Sequence, residues 1–206
     1  LESSLTCDKY IINEHDKLPK TLNTEQILIQ SSNIGAVRIA QKIGVDKYKA
    51  FLNSLELLNT INFDLEEIGT PLSFKWGKCK LATAAYGHGI TTTPLQLAKA
   101  YAILSNGGYK IQPHLLKKET KSLAKKVKII SEKTSNAMNS MLRKVVSFSE
   151  GTANFADVEG YEVGGKTGSS LKYASKEKLN TFVSLFPASR PKYVLLVMLD
   201  EPKPAP

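Results

Sequence analysis

Two apolar, β-rich runs, Thr181 to Phe186 and Tyr193 to Leu199, lie near the end of the chain, joined only by Pro187-Ala188-Ser189-Arg190-Pro191. Together with a glycine-rich run just before them, they read as a three-strand antiparallel meander. The rest of the chain is patterned as helices, so the expected class is α/β in the α+β sense: an antiparallel sheet packed with helices, plus a helical subdomain. The proline-rich tail from Glu201 to Pro206 cannot extend the sheet.

The first strand of the meander, with Tyr161 to Val163 expected to lead into it, carries Gly164-Gly165-Lys166-Thr167-Gly168-Ser169-Ser170. In an extended segment Lys166 and Gly168 point to one face, and Thr167 and Ser169 to the other. The glycines let another backbone or a ligand approach closely. Two hydroxyls beside a positive field, with edge N–H groups left free, suit a carboxylate-bearing ligand. A solvated turn or a phosphate-type loop would read the same way, and Lys-Thr-Gly alone is a weak signal.

A chain of 206 residues can build one sizeable core, or one lobe of a larger domain. The excess of 28 basic over 19 acidic residues gives a net charge of +9, which would suit an anionic partner. Much of that excess lies between Lys110 and Lys133, without an aromatic ladder, so it reads as a solvated basic face and not as a nucleic-acid patch. Cys7 and Cys79 form no CxxC or Cys/His cluster, and His15, His88 and His114 are scattered, so no metal is expected; a disulfide stays open. No stretch is apolar enough for a membrane span, and residues 1 to 20 lack a signal-peptide pattern. The chain does not begin with Met, and both termini look cut.

In order along the chain, residues 1 to 20 are polar and turn-rich. Asn23-Thr24-Glu25-Gln26 resembles a capping box opening a short helix that ends at Ser31-Ser32-Asn33. A second helix turns Ile34, Val37, Ile39 and Ala40 to the core and stops at Gly44. Val45 to Leu58 reads as an amphipathic helix, and 59 to 92 as a long irregular connection. The aromatics of that connection, Trp76 and the Tyr86-Gly87-His88-Gly89 run among them, suggest a binding loop. Thr93-Pro94 starts a buried helix ended by Asn106-Gly107-Gly108, and Ser131 caps another striped by Ala137, Met138, Met141, Leu142, Val145 and Val146. The methionines read as core filling. Residues 21 to 150 would thus form a mostly helical part, and 155 to 200 the catalytic strands.

The ordered set Ser31-Ser32-Asn33, Tyr86-Gly87-His88-Gly89, Thr93-Pro94-Leu95-Gln96-Leu97, Gly151-Thr152-Ala153 and Gly165-Lys166-Thr167-Gly168 resembles the transpeptidase domain of class B penicillin-binding proteins, across nearly the whole chain. The wording from Gly69-Thr70-Pro71 to Tyr86-Gly87-His88-Gly89 is closer to the septal, division-specific branch than to the elongation branch. The resemblance implies a penicillin-recognising, β-lactamase-like fold and acyl transfer from stem peptides ending in D-Ala-D-Ala through a serine acyl-enzyme, without a cofactor. It further implies β-lactams as ligands, septal glycosyltransferase and division proteins as partners, and a place at the periplasmic face of the inner membrane. By similarity Ser31 relays a proton to the leaving amine, Asn33 holds the substrate amide and the catalytic lysine, and Lys166 supplies positive field. Thr167, Gly168 and Ser169 would bind the terminal carboxylate, with the Ser169 N–H as an oxyanion donor.

The family's Ser-x-x-Lys nucleophile precedes Ser-x-Asn by some tens of residues. All matches here, Ser122 to Lys125, Ser169 to Lys172, Ser175 to Lys178 and Ser189 to Lys192, come after it and read as chance. The nucleophile, the first strands, the last helix and an anchor helix are therefore expected outside this chain. Two rivals remain open: a serine β-lactamase or β-lactam sensor, and a non-catalytic binding module.

Overall fold

A computed structural model describes residues 5–66, 68–77, 79–117, 127–172, 175 and 177–203. A two-stranded hairpin, β1 (Leu5–Cys7) and β2 (Tyr10–Ile12), opens the described chain. Six helices follow: α1 (Thr24–Ile29), α2 (Asn33–Ile43), α3 (Val45–Ser54), α4 (Lys80–Ala85), α5 (Pro94–Ser105) and α6 (Glu132–Ser147). Strands β3 (Gly164–Leu171), β4 (Lys178–Phe186) and β5 (Tyr193–Asp200) come last.

Capping chemistry sets most of the helix starts. Asn23 and Gln26 exchange side-chain and backbone bonds of 2.9 Å, and Thr93 and Gln96 do the same one residue before Pro94. Ser131 accepts from the Thr134 N–H at 3.0 Å. Gly44, at φ +83°, closes α2.

The sheet is the expected antiparallel meander in the order β3-β4-β5. Lys166 lies opposite Val183, which lies opposite Leu196, while Thr167, Phe182 and Val197 form the neighbouring row. The Lys166 face packs on α5 and α6, where Leu185 joins Leu142, Ala188 and Tyr101 in a buried cluster. Phe182, on the opposite face, folds over Gly165. A Cβ at Gly165 would stand 2.7 Å from that ring and 2.6 Å from the Val183 carbonyl oxygen. The close approach that this glycine permits is therefore made by the neighbouring strand.

Several expectations are corrected. Tyr161 ends a turn, residues 162 and 163 are irregular, and the strand begins at Gly164, because Glu162 takes φ +47°. The helix expected over 45 to 58 ends at Ser54, and Val45 and Phe51 stay exposed; only Leu55, beyond its end, is buried. The connection from 59 to 92 contains α4, a short alanine-rich helix with no side-chain cap, which left no start signal in the sequence. On α6, Ala137 is exposed while Ser135 and Asn139 are buried, bonded to the end of α5 through the Leu104 and Ser105 carbonyls. In the basic stretch, Lys110 pairs with Glu56 and Lys128 lies over the Tyr109 ring; the lysines between 118 and 126 fall outside the described residues.

The polar N-terminal stretch folds as the hairpin, and Cys7 is disulfide-bonded to Cys79, the residue before α4. Ile12 packs with Ile34, Val37 and Ala82, with Leu5, Cys7, Ala85 and Tyr86 around them. The hairpin is thus fixed to α2 by apolar contact and to α4 by a covalent bond across 72 residues. Closing a loop of that length removes about 4 kcal/mol of denatured-state entropy in the chain-entropy account. The double variant Cys7→Ser, Cys79→Ser is expected to unfold at lower urea, with a loss of stability of roughly 4 kcal/mol, and an unchanged midpoint would show that apolar packing alone holds the hairpin.

Candidate active site

The Ser31-Ser32-Asn33 turn lies where α1 passes into α2. Ser31 adopts φ +55°, a left-handed conformation that costs a non-glycine residue of order 1 kcal/mol or more. The turn is held on both sides. The Ser32 N–H donates to the Ile27 carbonyl at 3.0 Å, and the Ser32 hydroxyl caps α2 by accepting from the Gly35 N–H at 2.9 Å. Ser32 is buried, while Ser31 and Asn33 are half-buried at the rim of a cavity.

Lys166, 135 residues away on β3, donates from Nζ to the Ser31 Oγ and, at 3.2 Å, to the Thr167 carbonyl. Burial of its ammonium lowers its pKa from the ordinary 10.5 to about 8. At neutral pH the group is still mostly charged. Protonated, it donates to Ser31; deprotonated, at modest cost, it can accept the same proton. A lysine and a serine so placed can pass a proton to a third group that enters the cavity.

The cavity measures about 830 Å³. Its polar side is formed by Ser31, Asn33, Thr152 and residues 166 to 170, so both faces of the edge strand border it. The Thr167 hydroxyl donates to that of Thr152 at 3.1 Å, and Gly168 and Ser169 are exposed beside them. The Asn33 amide donates to the Asn13 carbonyl at 3.0 Å. The other side is apolar and includes Ala36, Ile39, Tyr101, Met138 and Met141. The two methionines thus form cavity wall more than core. Of the loop aromatics Tyr86 and His88 line the cavity, with ring centroids 4.9 Å apart; Trp76 packs instead on Tyr48 and Phe74.

All the residues singled out from sequence, Ser31, Asn33, Lys166, Thr167, Gly168 and Ser169, therefore surround one cavity. Two contributors were not foreseen. Thr152 stands in the quoted Gly151-Thr152-Ala153 run but had no role assigned. Glu14, whose carboxylate binds the turn, is 18 residues before Ser32 in a stretch with no periodicity to mark it. Of the described Ser-x-x-Lys matches, Ser169 lines the cavity but its Lys172 is paired with Asp200 and Glu201, while Ser189, in the β4–β5 turn, bonds Glu162. Among the described residues no group of His, Cys, Asp and Glu could hold a metal ion.

The profile of the family described as "Penicillin binding protein transpeptidase domain" matches residues 2–205. The chain belongs to this family. Among curated relatives, it is 32% identical over 206 residues to the probable peptidoglycan D,D-transpeptidase FtsI of Caulobacter vibrioides, covering 93% of this chain and 35% of that protein. It is also 32% identical to the peptidoglycan D,D-transpeptidase FtsI of Buchnera aphidicola, covering 98% and 37%. The apo transpeptidase domain of Burkholderia pseudomallei penicillin-binding protein 3 superposes with a TM-score of 0.89 at 26% identity, over 97% of this chain and 62% of that one. Penicillin-binding protein 3 of Mycobacterium tuberculosis, solved with ampicillin, shares the fold with a TM-score of 0.85 at 22% identity, over 97% and 49%. The chain thus spans about a third of the length of the curated relatives it matches.

The lowered pKa of Lys166 can be read directly. A side-chain NMR titration is expected to place its midpoint near 8, against the ordinary 10.5. Because the folded value lies below the unfolded one, the native state binds fewer protons between them, so this group's contribution to stability rises with pH across that window. A midpoint near 10.5 would show that water reaches the ammonium.

Proposed function

We propose that this chain forms the proton-relay and carboxylate-binding part of a serine D,D-transpeptidase that cross-links peptidoglycan stem peptides, in septal wall synthesis. The observation that carries the reading is the Lys166–Ser31 bond within one cavity. Family membership and relatives called D,D-transpeptidases support it.

In this reading a serine hydroxyl attacks the carbonyl of the penultimate D-Ala of a donor stem peptide. The C–N bond to the terminal D-Ala breaks, its amine leaves with a proton, and a serine ester remains. An amine of an acceptor peptide then attacks the ester, restoring the hydroxyl and forming the cross-link. Ser31 passes the proton to the leaving amine and is resupplied by Lys166, whose lowered pKa makes that transfer inexpensive. Asn33 bonds the substrate amide and holds the catalytic lysine of the nucleophile motif, while Lys166 supplies positive field to that network. Thr167, Gly168 and Ser169 bind the terminal carboxylate beside the ammonium, and the Ser169 N–H faces the developing oxyanion. In this reading none of the described Ser-x-x-Lys serines attacks: Ser169 belongs to the carboxylate clamp itself, Ser175 accepts from the Glu177 N–H, and Ser189 bonds Glu162. The apolar wall of the cavity suits the helix that would carry the attacking serine.

β-Lactams would react at the same place, because their carboxylate and strained amide present the same two groups to the clamp and the relay. The disulfide fits an oxidising compartment, in keeping with the periplasmic side of the inner membrane. Among the described residues no helix is long and apolar enough to cross a membrane. The septal role implies a glycosyltransferase and division proteins as partners.

Fluorescent penicillin tests the reading. The full-length protein is expected to form a covalent adduct, the 206-residue chain alone none, and a folded full-length Lys166→Ala variant to acylate about 10²–10³-fold more slowly. Near-normal acylation by that variant, or a stoichiometric adduct on the short chain, would remove the assignment. The clamp has its own signature. Changing Thr167 and Ser169 together to Val should slow acylation by carboxylate-bearing β-lactams far more than by analogues lacking the carboxylate. Equal losses would indicate a general folding effect.

A further inference from the structure

The Ser31-Ser32-Asn33 turn has support beyond its own bonds to α1 and α2. Three donors at and just after it, the Ser32 hydroxyl, the Asn33 N–H and the Ile34 N–H, point at one carboxylate, that of Glu14, at 2.6, 2.7 and 3.2 Å. One oxygen, Oε1, accepts from Ser32 and Ile34; the other, Oε2, accepts from Asn33. Two of these donors are N–H groups at the start of α2, which the helix itself leaves unpaired. A negative charge there is also favoured by the helix dipole.

We propose that Glu14 is a positioning residue of the active site, fixing the strained Ser31 conformation and the direction of Asn33 from outside the cavity's reacting groups. The assignment rests on the reading of Ser31 and Asn33 as relay and amide-binding residues. Three features of the molecule support it. Ser31 is at φ +55°, a conformation that persists only where neighbours enforce it, and Glu14 bonds the next three residues. The Asn33 side chain donates to the carbonyl of Asn13, so the same short segment orients both the backbone and the amide of the motif. That segment is itself anchored, because it follows directly on the hairpin that Ile12 packs against Ile34 and that Cys7 ties to Cys79.

The geometry demands a carboxylate in particular. All three partners are donors, so both oxygens must accept. An amide offers one acceptor, and its NH₂ would face a donor. An aspartate keeps the charge but is one methylene short of reaching all three.

The experiment uses the full-length protein and compares wild type with Glu14→Gln and Glu14→Asp, following acylation by a penicillin with the binding and bond-forming steps separated, and with thermal unfolding in parallel. The Gln variant is expected to stay folded at the assay temperature and to lose about tenfold or more in the acylation rate constant. The ratio of rates for substrates with and without a carboxylate should be unchanged, since that ratio reports the β3 clamp, which Glu14 does not touch. The Asp variant is expected to fold and to acylate several-fold more slowly than wild type but faster than the Gln variant. A merely structural role would lower the unfolding temperature and leave the rate of the folded protein unchanged, and that result overturns the proposal. Should the Gln variant not fold, wild-type acylation by the Asp variant overturns it equally. Failure of the wild-type protein itself to form an adduct would overturn the functional reading and this assignment with it, whereas an acylating wild type matched by both variants overturns Glu14 alone.

Discussion

A largely desolvated lysine ammonium beside a serine hydroxyl, with no carboxylate pairing it among the described residues, is the interaction on which the candidate site depends. Lys166 bonds the Ser31 hydroxyl and a backbone carbonyl, and desolvation alone sets its lowered pKa. The protein contains its own control. Lys99 is more deeply buried than Lys166, yet it pairs directly with Glu56, which pairs in turn with Lys110. The nearby Gln96 donates to the Glu56 and Asn59 carbonyls, so this charge fastens a loop onto α5. A buried cation matched by an anion is a structural fixture, costly only when broken. One matched by a neutral hydroxyl is held closer to its point of proton release, the kind of perturbation that gathers at functional sites.

Keeping such a group buried requires its strand to be placed tightly. Gly151 meets the end of α6 so closely that a Cβ there would stand 2.1 Å from the Val145 carbonyl oxygen. Its neighbour Ala153 donates to the same carbonyl at 3.3 Å, and Thr152 donates to the Ile29 carbonyl at 3.4 Å. The segment therefore touches α6 behind it and α1 beside it, and delivers the Thr152 hydroxyl to Thr167. The glycine in this motif serves backbone contact, and the threonine after it serves the cavity.

What could be read from the sequence follows from how local each signal is. The capping boxes at Asn23 and Thr93, the glycine stop at Gly44 and the meander of β3, β4 and β5 are each specified by a few adjacent residues, and they stand where those residues put them. The residues around the cavity were singled out through motif order, because Ser31 and Lys166 meet only through the tertiary fold. Signals that depend on distant partners were not legible. The hairpin carries too little alternation to show as strands, α4 begins without a side-chain cap, and the pairing of Cys7 with Cys79 needs the positions of both elements. Glu14 belongs to the same class: an isolated acid in a polar segment is ordinary until three donors are found around it.

The two halves of the Lys166–Ser31 contact are built independently and joined at one interface. Ser31 is set by the α1–α2 turn and its hairpin support, whereas Lys166 is set by the register of β3 on β4 and by α6 beneath. Between them lies a single cluster in which Ile29 from α1 meets Val145 and Val146 from α6, with Ala153, Val163 and Phe182 closing around it. Lys144 adds a 2.7 Å ion pair to Glu25 at the partly exposed edge of the same contact. An ion pair so exposed contributes at most about 1 kcal/mol, while the buried aliphatic side chains contribute about 1.5–3 kcal/mol each. The separation of ammonium and hydroxyl is therefore governed by hydrophobic packing of α1 on α6. Close-packed interiors transmit a displaced methylene as movement of whole elements, so the Lys166–Ser31 bond depends on the volume of Ile29 and Val145 as well as on the two groups that make it.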